Sequence, residues 1–74
     1  IKLDQSFTRS MDQPRGKAIV QAIVAMTRAL GSEMIAEGVE TQDQLDTLRE
    51  LDCEYALGWL VGRPVSLQSV LDTD

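Results

Sequence analysis

The chain has 74 residues, seven Lys and Arg against twelve Asp and Glu, a net charge of -5 and no histidine. A chain this short forms one small domain at most and buries only about 60% of the surface it exposes when unfolded. The acidic balance argues against a binder of the nucleic-acid backbone, and the absence of histidine excludes a Ser-His-Asp triad and any imidazole metal site. The first four residues, Ile1-Lys2-Leu3-Asp4, alternate apolar and charged side chains as a strand does. Met11-Asp12-Gln13-Pro14-Arg15-Gly16 collects turn formers, and Pro14 suits the opening of a helix, where its missing N–H costs nothing. The helix expected over Lys17–Leu30 carries Ile19, Ile23, Met26 and Leu30 on one row, widened by Val20, Val24 and Ala25, and so needs a broad surface to pack against. Gly31 fits the positive-φ position just past its end, and Arg28 suits its negative pole.

Met34-Ile35-Ala36 is a short apolar run of the kind covered on both faces in a parallel sheet. Thr41 and Gln44 form a capping box for a second helix starting near Gln42, with Leu45, Leu48 and Leu51 on its apolar face and Asp52-Cys53 at its end. Cys53 cannot form an internal disulfide and is expected as a buried small hydrophobe in a reducing compartment. Tyr55–Val61 is a third strand candidate, closed by Gly62-Arg63-Pro64, and Ser66 is placed as the cap of a terminal helix through Leu71. The expected order is βαβαβα. Three parallel strands with helices on one side leave open edges and an uncovered face, so the chain is expected to be part of a larger domain. No run reaches the ~20 apolar residues of a membrane span, and the first residues lack the basic-then-apolar order expected of a signal peptide; a soluble, cytoplasmic protein is expected.

The chemistry-bearing side chains fall at strand ends. Lys2 and Asp4, two apart on a strand, leave one face. Glu37 follows Met34–Ala36 and Glu40 lies three residues on, before a helix. Ligands in α/β folds bind at the C-terminal ends of strands, so these four groups could converge. The bland alternatives stay open on spacing alone: an ion pair finishing a strand for Lys2 and Asp4, and loop acids favoured by a helix dipole for Glu37 and Glu40. Tyr55, Leu57 and Trp59 share a face and suit a core, while Arg63 suits a surface loop or a phosphate contact.

Together Ile1-Lys2-Leu3-Asp4, Ala36-Glu37-Gly38-Val39-Glu40-Thr41 and Gly58-Trp59-Leu60-Val61-Gly62-Arg63-Pro64 resemble the C-terminal part of the EAL family of bacterial cyclic di-GMP phosphodiesterases. The resemblance implies that residues 1–74 are the C-terminal portion of one EAL domain, a TIM-type (β/α)8 barrel of ~250 residues whose N-terminal part lies upstream. It implies metal-dependent hydrolysis of cyclic di-GMP with Mg²⁺ or Mn²⁺. By residue, it implies that Lys2 holds the nucleophilic water, Asp4 is a metal-site acid, Glu37 serves the metal-and-water centre, and Glu40 stabilises a substrate- and dimer-associated loop. Cyclic di-GMP and a second copy of the parent domain are the partners it implies. This chain departs from the family pattern at Leu57, where a glutamine is common, and the family's Glu-Ala-Leu strand, its Asn and Glu ligands and its Asp-Asp-Phe-Gly loop are absent from these residues. The fragment alone is therefore not expected to hydrolyse anything. The alternative is a catalytically degenerate EAL-like receptor or protein-interaction module.

Overall fold

A computed structural model describes residues 1–58, 63 and 65–67. Four strands of two residues each, β1 (Lys2–Leu3), β2 (Ile35–Ala36), β3 (Tyr55–Ala56) and β4 (Val65–Ser66), lie side by side in sequence order. Among the described residues three helices lie between the parallel strands, α1 (Gln5–Ser10) and α2 (Pro14–Ala29) between β1 and β2, and α3 (Gln42–Glu50) between β2 and β3. β1, β2 and β3 are parallel, as the alternation of elements requires, with Lys2 opposite Ile35 and Ile35 opposite Tyr55.

Two features correct the expected βαβαβα order. Asp4 does not extend the first strand; its carboxylate accepts from the Ser6 amide at 3.0 Å and caps α1, a helix that Gln5–Ser10, apolar only at Phe7, does not announce by periodicity. Ser66 lies in β4, which runs antiparallel on the outer edge of β3, so the edge expected to be open there is paired. β3 ends at Ala56, so Leu57 and Gly58 are not part of the strand expected over Tyr55–Val61; residues 59–61, Trp59 among them, and residues 68–71 of the expected terminal helix lie outside the described residues.

The core forms where the helices cover one face of the sheet. Leu3, Ala36 and Ala56 stand in register and are buried with Val20, Val24, Met34, Val39, Leu48, Cys53 and Leu67. The alternate row, Lys2, Ile35 and Tyr55, is exposed or half-buried. α2 begins at Pro14, three residues before the expected Lys17, with Pro14 in its first turn. It ends as a Schellman motif: Gly31 takes φ +74, its amide donates to Arg28 O at 3.0 Å, and the Ser32 amide donates to Thr27 O at 3.0 Å. α3 carries both halves of the expected capping box and ends on a second Schellman motif, with Asp52 rather than a glycine at positive φ (65).

The buried stripe of α2 differs from the expected one. Val20, Val24 and Thr27 are buried and Ile23 is partly buried, whereas Ile19, Met26 and Leu30 are 43%, 59% and 72% exposed. At about 100° per residue the two rows stand roughly 90° apart round the helix. The apolar stripe is wider than the face that these four strands and two neighbouring helices cover, and its far half is left to solvent.

Candidate functional site

The C-terminal ends of β1, β2 and β3 open on a cleft of about 380 Å³ lined in part by Asp4, Arg9, Glu37, Gly38, Leu57 and Gly58. Hydrogen bonding between strands builds it. The Glu37 amide donates to Leu3 O at 2.9 Å and the Leu57 amide donates to Ala36 O at 2.9 Å. These bonds continue the parallel register by one residue and bring Asp4, Glu37 and Leu57 to the same level. Two glycines keep the rim low. Gly38 has φ +73, and a Cβ there would collide with the Cβ of Gln5; a Cβ at Gly58 would collide with the backbone of Val39. The Val39 amide donates to Leu57 O at 3.2 Å across that close approach.

Asp4 has two tasks at this end. Its Oδ2 accepts from both the amide and the hydroxyl of Ser6, at 3.0 and 2.7 Å, and these bonds hold the carboxyl below its ordinary range. Its Oδ1 takes part in neither bond. Glu37 is half-buried. Two carboxylates in one cleft are hard oxygen donors of the type Mg²⁺ and Mn²⁺ prefer, and both ions keep waters or substrate oxygens to complete their shells. Among the described residues no group of three or more His, Cys, Asp or Glu side chains converges, so this cleft fits a share of a cation's ligands, not a complete set.

The other two residues singled out from the sequence stand apart from the carboxylate pair. Lys2 pairs with Ile35 and is exposed, one side-chain step nearer the N-terminal ends of the strands than Glu37, roughly 7 Å by strand rise. It shares the sheet edge with Asp4 but does not line the cleft. Glu40 is exposed; its carboxylate lies 3.6 Å from Arg9 Nε, and its amide donates at 2.7 Å to the same Gln44 Oε1 that accepts from the Thr41 amide in the capping box.

Sequence reasoning missed α1 and with it Arg9 and Thr8. Arg9 lines the cleft and pairs with Glu40, and Thr8 is fully buried with its hydroxyl donating to Glu37 O at 2.7 Å. The one available signal was Asp4 itself, a strong N-cap type placed two residues before a serine. Away from the site, Cys53 is buried as expected, its Sγ 3.3 Å from Tyr55 O, and burial pushes its thiol pKa up. Tyr55 donates to Glu33 Oε2 at 3.2 Å, and that bond and the Glu33 charge raise the phenol's pKa. Among the described residues no helix is long and apolar enough to cross a membrane.

The chain is 44% identical over 73 residues to the cyclic di-GMP phosphodiesterase RocR of Pseudomonas aeruginosa, a match that takes in 97% of this chain and 19% of RocR. It superposes on the EAL enzyme Bd1971, solved with cAMP and cyclic di-GMP bound, with a TM-score of 0.79 and 33% identity over 97% of this chain and 19% of that one. On the EAL domain of Mycobacterium smegmatis DcpA the TM-score is 0.78, at 33% identity, over 97% of this chain and 33% of that one. The chain thus spans about a fifth of the curated relative and a third of a solved EAL domain. Residues 1–64 match the model of the EAL domain, and the chain belongs to that family.

Proposed function

We propose that these residues are the C-terminal portion of a single EAL domain, closing a TIM-type barrel, and that the whole domain hydrolyses one phosphodiester bond of cyclic di-GMP. The observation that carries this reading is the pairing of Asp4 with Glu37 in one cleft at the C-terminal ends of adjacent parallel strands, in a chain 44% identical to a cyclic di-GMP phosphodiesterase. In barrels of this type that end is where chemistry is done.

In this reading Asp4, through its Oδ1, and Glu37 contribute oxygen ligands to Mg²⁺ or Mn²⁺, with the remaining ligands supplied by strands outside this chain. Bound there, the ions would supply Lewis acidity and lower the pKa of a water. Lys2 stands one side-chain step below the carboxylates, and its long side chain would have to reach up along the strand to hold such a water by hydrogen bonding. Glu40, through its ion pair with Arg9, keeps the segment between β2 and α3 against α1, which is the support a substrate- and dimer-associated loop needs. The polypeptide of 74 residues alone is inactive, because two carboxylates do not complete a two-ion centre.

Leu57 favours a second reading, a cyclic di-GMP receptor without turnover. Its side chain occupies the level of Asp4 and Glu37 and can neither donate nor accept a hydrogen bond. One experiment separates the two. Full-length protein is incubated with Mg²⁺ or Mn²⁺ and cyclic di-GMP, and the linear dinucleotide is followed by chromatography while nucleotide binding is measured by calorimetry. Turnover supports the first reading, binding without turnover supports the second, and neither leaves an interaction module.

A further inference from the structure

Among the described residues three threonines lie inside helices, and two of them use their hydroxyl in the usual way, on the carbonyl one turn back in the same helix. Thr27 donates to Ile23 O at 2.8 Å and Thr47 to Asp43 O at 2.9 Å. Thr8 does not. Fully buried in α1, it reaches across 29 residues of sequence and donates to the carbonyl of Glu37 at 2.7 Å. The amide of Glu37 is held from the other side by Leu3 O of β1 at 2.9 Å. Both backbone polar groups of Glu37 are therefore fixed, one by β1 and the other by α1. The next residue, Gly38, lies so close to Gln5 of α1 that there is no room for a Cβ.

The same helix is capped by Asp4. A movement of α1 relative to β2 would carry one cleft carboxylate away from the other, and the Thr8 hydroxyl is the buried side-chain bond that opposes it, beside the exposed Arg9–Glu40 pair and the Glu37 amide bond to Leu3 O. We infer that Thr8 is a positioning residue: its buried hydroxyl, by holding the Glu37 carbonyl against the helix that Asp4 caps, fixes the spacing between the two carboxylates. This rests on the reading of Asp4 and Glu37 as cation ligands.

The test uses full-length protein carrying Thr8→Val, which keeps the shape and removes the hydroxyl, and Thr8→Ser, which keeps the hydroxyl. Mn²⁺ binding is measured by calorimetry, and kcat and KM for cyclic di-GMP hydrolysis are measured alongside. Supporting groups behind a metal ligand typically govern affinity or activity by 10–100-fold. The Val variant is therefore expected to bind Mn²⁺ about tenfold more weakly and to lose about tenfold in kcat with KM little changed. The Ser variant should stay within about twofold of the unsubstituted protein. If the Val variant does not fold, Thr8→Ala set against Thr8→Ser makes the same comparison, since both lack the methyl and only one lacks the hydroxyl. Should the unsubstituted protein bind Mn²⁺ without hydrolysing cyclic di-GMP, the proposed activity fails, and the Mn²⁺ affinities alone decide the role of Thr8. Equal Mn²⁺ affinity with and without the hydroxyl, whatever happens to the melting temperature, overturns the inference, as does an unsubstituted protein that binds no Mn²⁺.

Discussion

Gly31 and Gly38 have nearly the same backbone angle, φ +74 and +73, in very different surroundings. Nothing lies within 4 Å of a Cβ built on Gly31, whereas a Cβ on Gly38 would overlap the Cβ of Gln5 and crowd its Cα. Alanine at either position pays the left-handed penalty of about 1–2 kcal/mol. At Gly38 it also overpacks a contact with atoms that cannot swing aside, which typically costs a further ~1–3 kcal/mol. The gain from restricting the unfolded chain is the same for both substitutions and cancels in the difference. Gly38→Ala is therefore expected to destabilise the parent domain by about 1–3 kcal/mol more than Gly31→Ala, a large fraction of the ~5–15 kcal/mol that a domain has in total. Urea unfolding of the two full-length variants, followed by far-ultraviolet circular dichroism, measures that difference directly. Equal losses would refute the argument, because they would mean that α1 does not stand against the Glu37–Gly38 turn.

Removing the Thr41 hydroxyl with Thr41→Ala deletes half of the capping box at α3 and should cost about 1 kcal/mol in the same unfolding assay. Asp52→Gly should have the opposite sign, because Asp52 holds φ +65 at the C′ position of a Schellman motif; a gain of about 0.5–1 kcal/mol is expected, reduced slightly by loss of the exposed pair with Arg28. The pH dependence from Asp4 follows from its bonds to Ser6, which favour the charged form and so lower the folded-state pKa below the ordinary 3.8. Its contribution to stability is whole above pH 3.8 and is lost as pH falls through the lower, folded-state value; melting temperatures of Asp4→Asn should lack that part of the acid dependence. Expressed alone, the 74 residues should associate, since Met26, Leu30 and Ile19 form an exposed apolar row and, among the described residues, β1 has a partner on one side only. A sharp monomer peak with cooperative melting would contradict that.

The elements whose signals are local were legible in the sequence. Thr41 with Gln44, Pro14 at a first turn and Gly31 past a last one are backbone chemistry carried by single residues, and each stands where its pattern put it. α1 was not legible by periodicity, because its six residues carry one apolar side chain, Phe7, and the helix rests on the local Asp4 cap and the tertiary bond from Thr8 to Glu37. The choice of buried row on α2 was also hidden. Ile19, Met26 and Leu30 are as apolar as Val20 and Val24, and which row faces the core depends on the sheet's position, not on the helix. At the site, the strand-end placement of Asp4 and Glu37 followed from the alternation of strands and helices. Arg9 and Thr8 could not be found that way, since they reach the cleft only through the unannounced helix.

Asp4 shows why the two kinds of information fail separately. Lys2-Leu3-Asp4 has the alternation of a strand, and the strand ends one residue before Asp4 because a carboxylate two residues ahead of a serine captures that residue's amide and hydroxyl and starts a helix. The same event leaves Asp4 in register with Glu37. One oxygen is committed to the fold, and the other carries none of the capping bonds. A strand continuing through Asp4 would leave both oxygens to the cleft but would remove α1, and with it the Thr8 bond to Glu37 and the Arg9 pair with Glu40. The capped arrangement gives up one lone-pair-bearing atom and gains the helix that holds three of the four polar residues singled out from the sequence, Asp4, Glu37 and Glu40, in one frame.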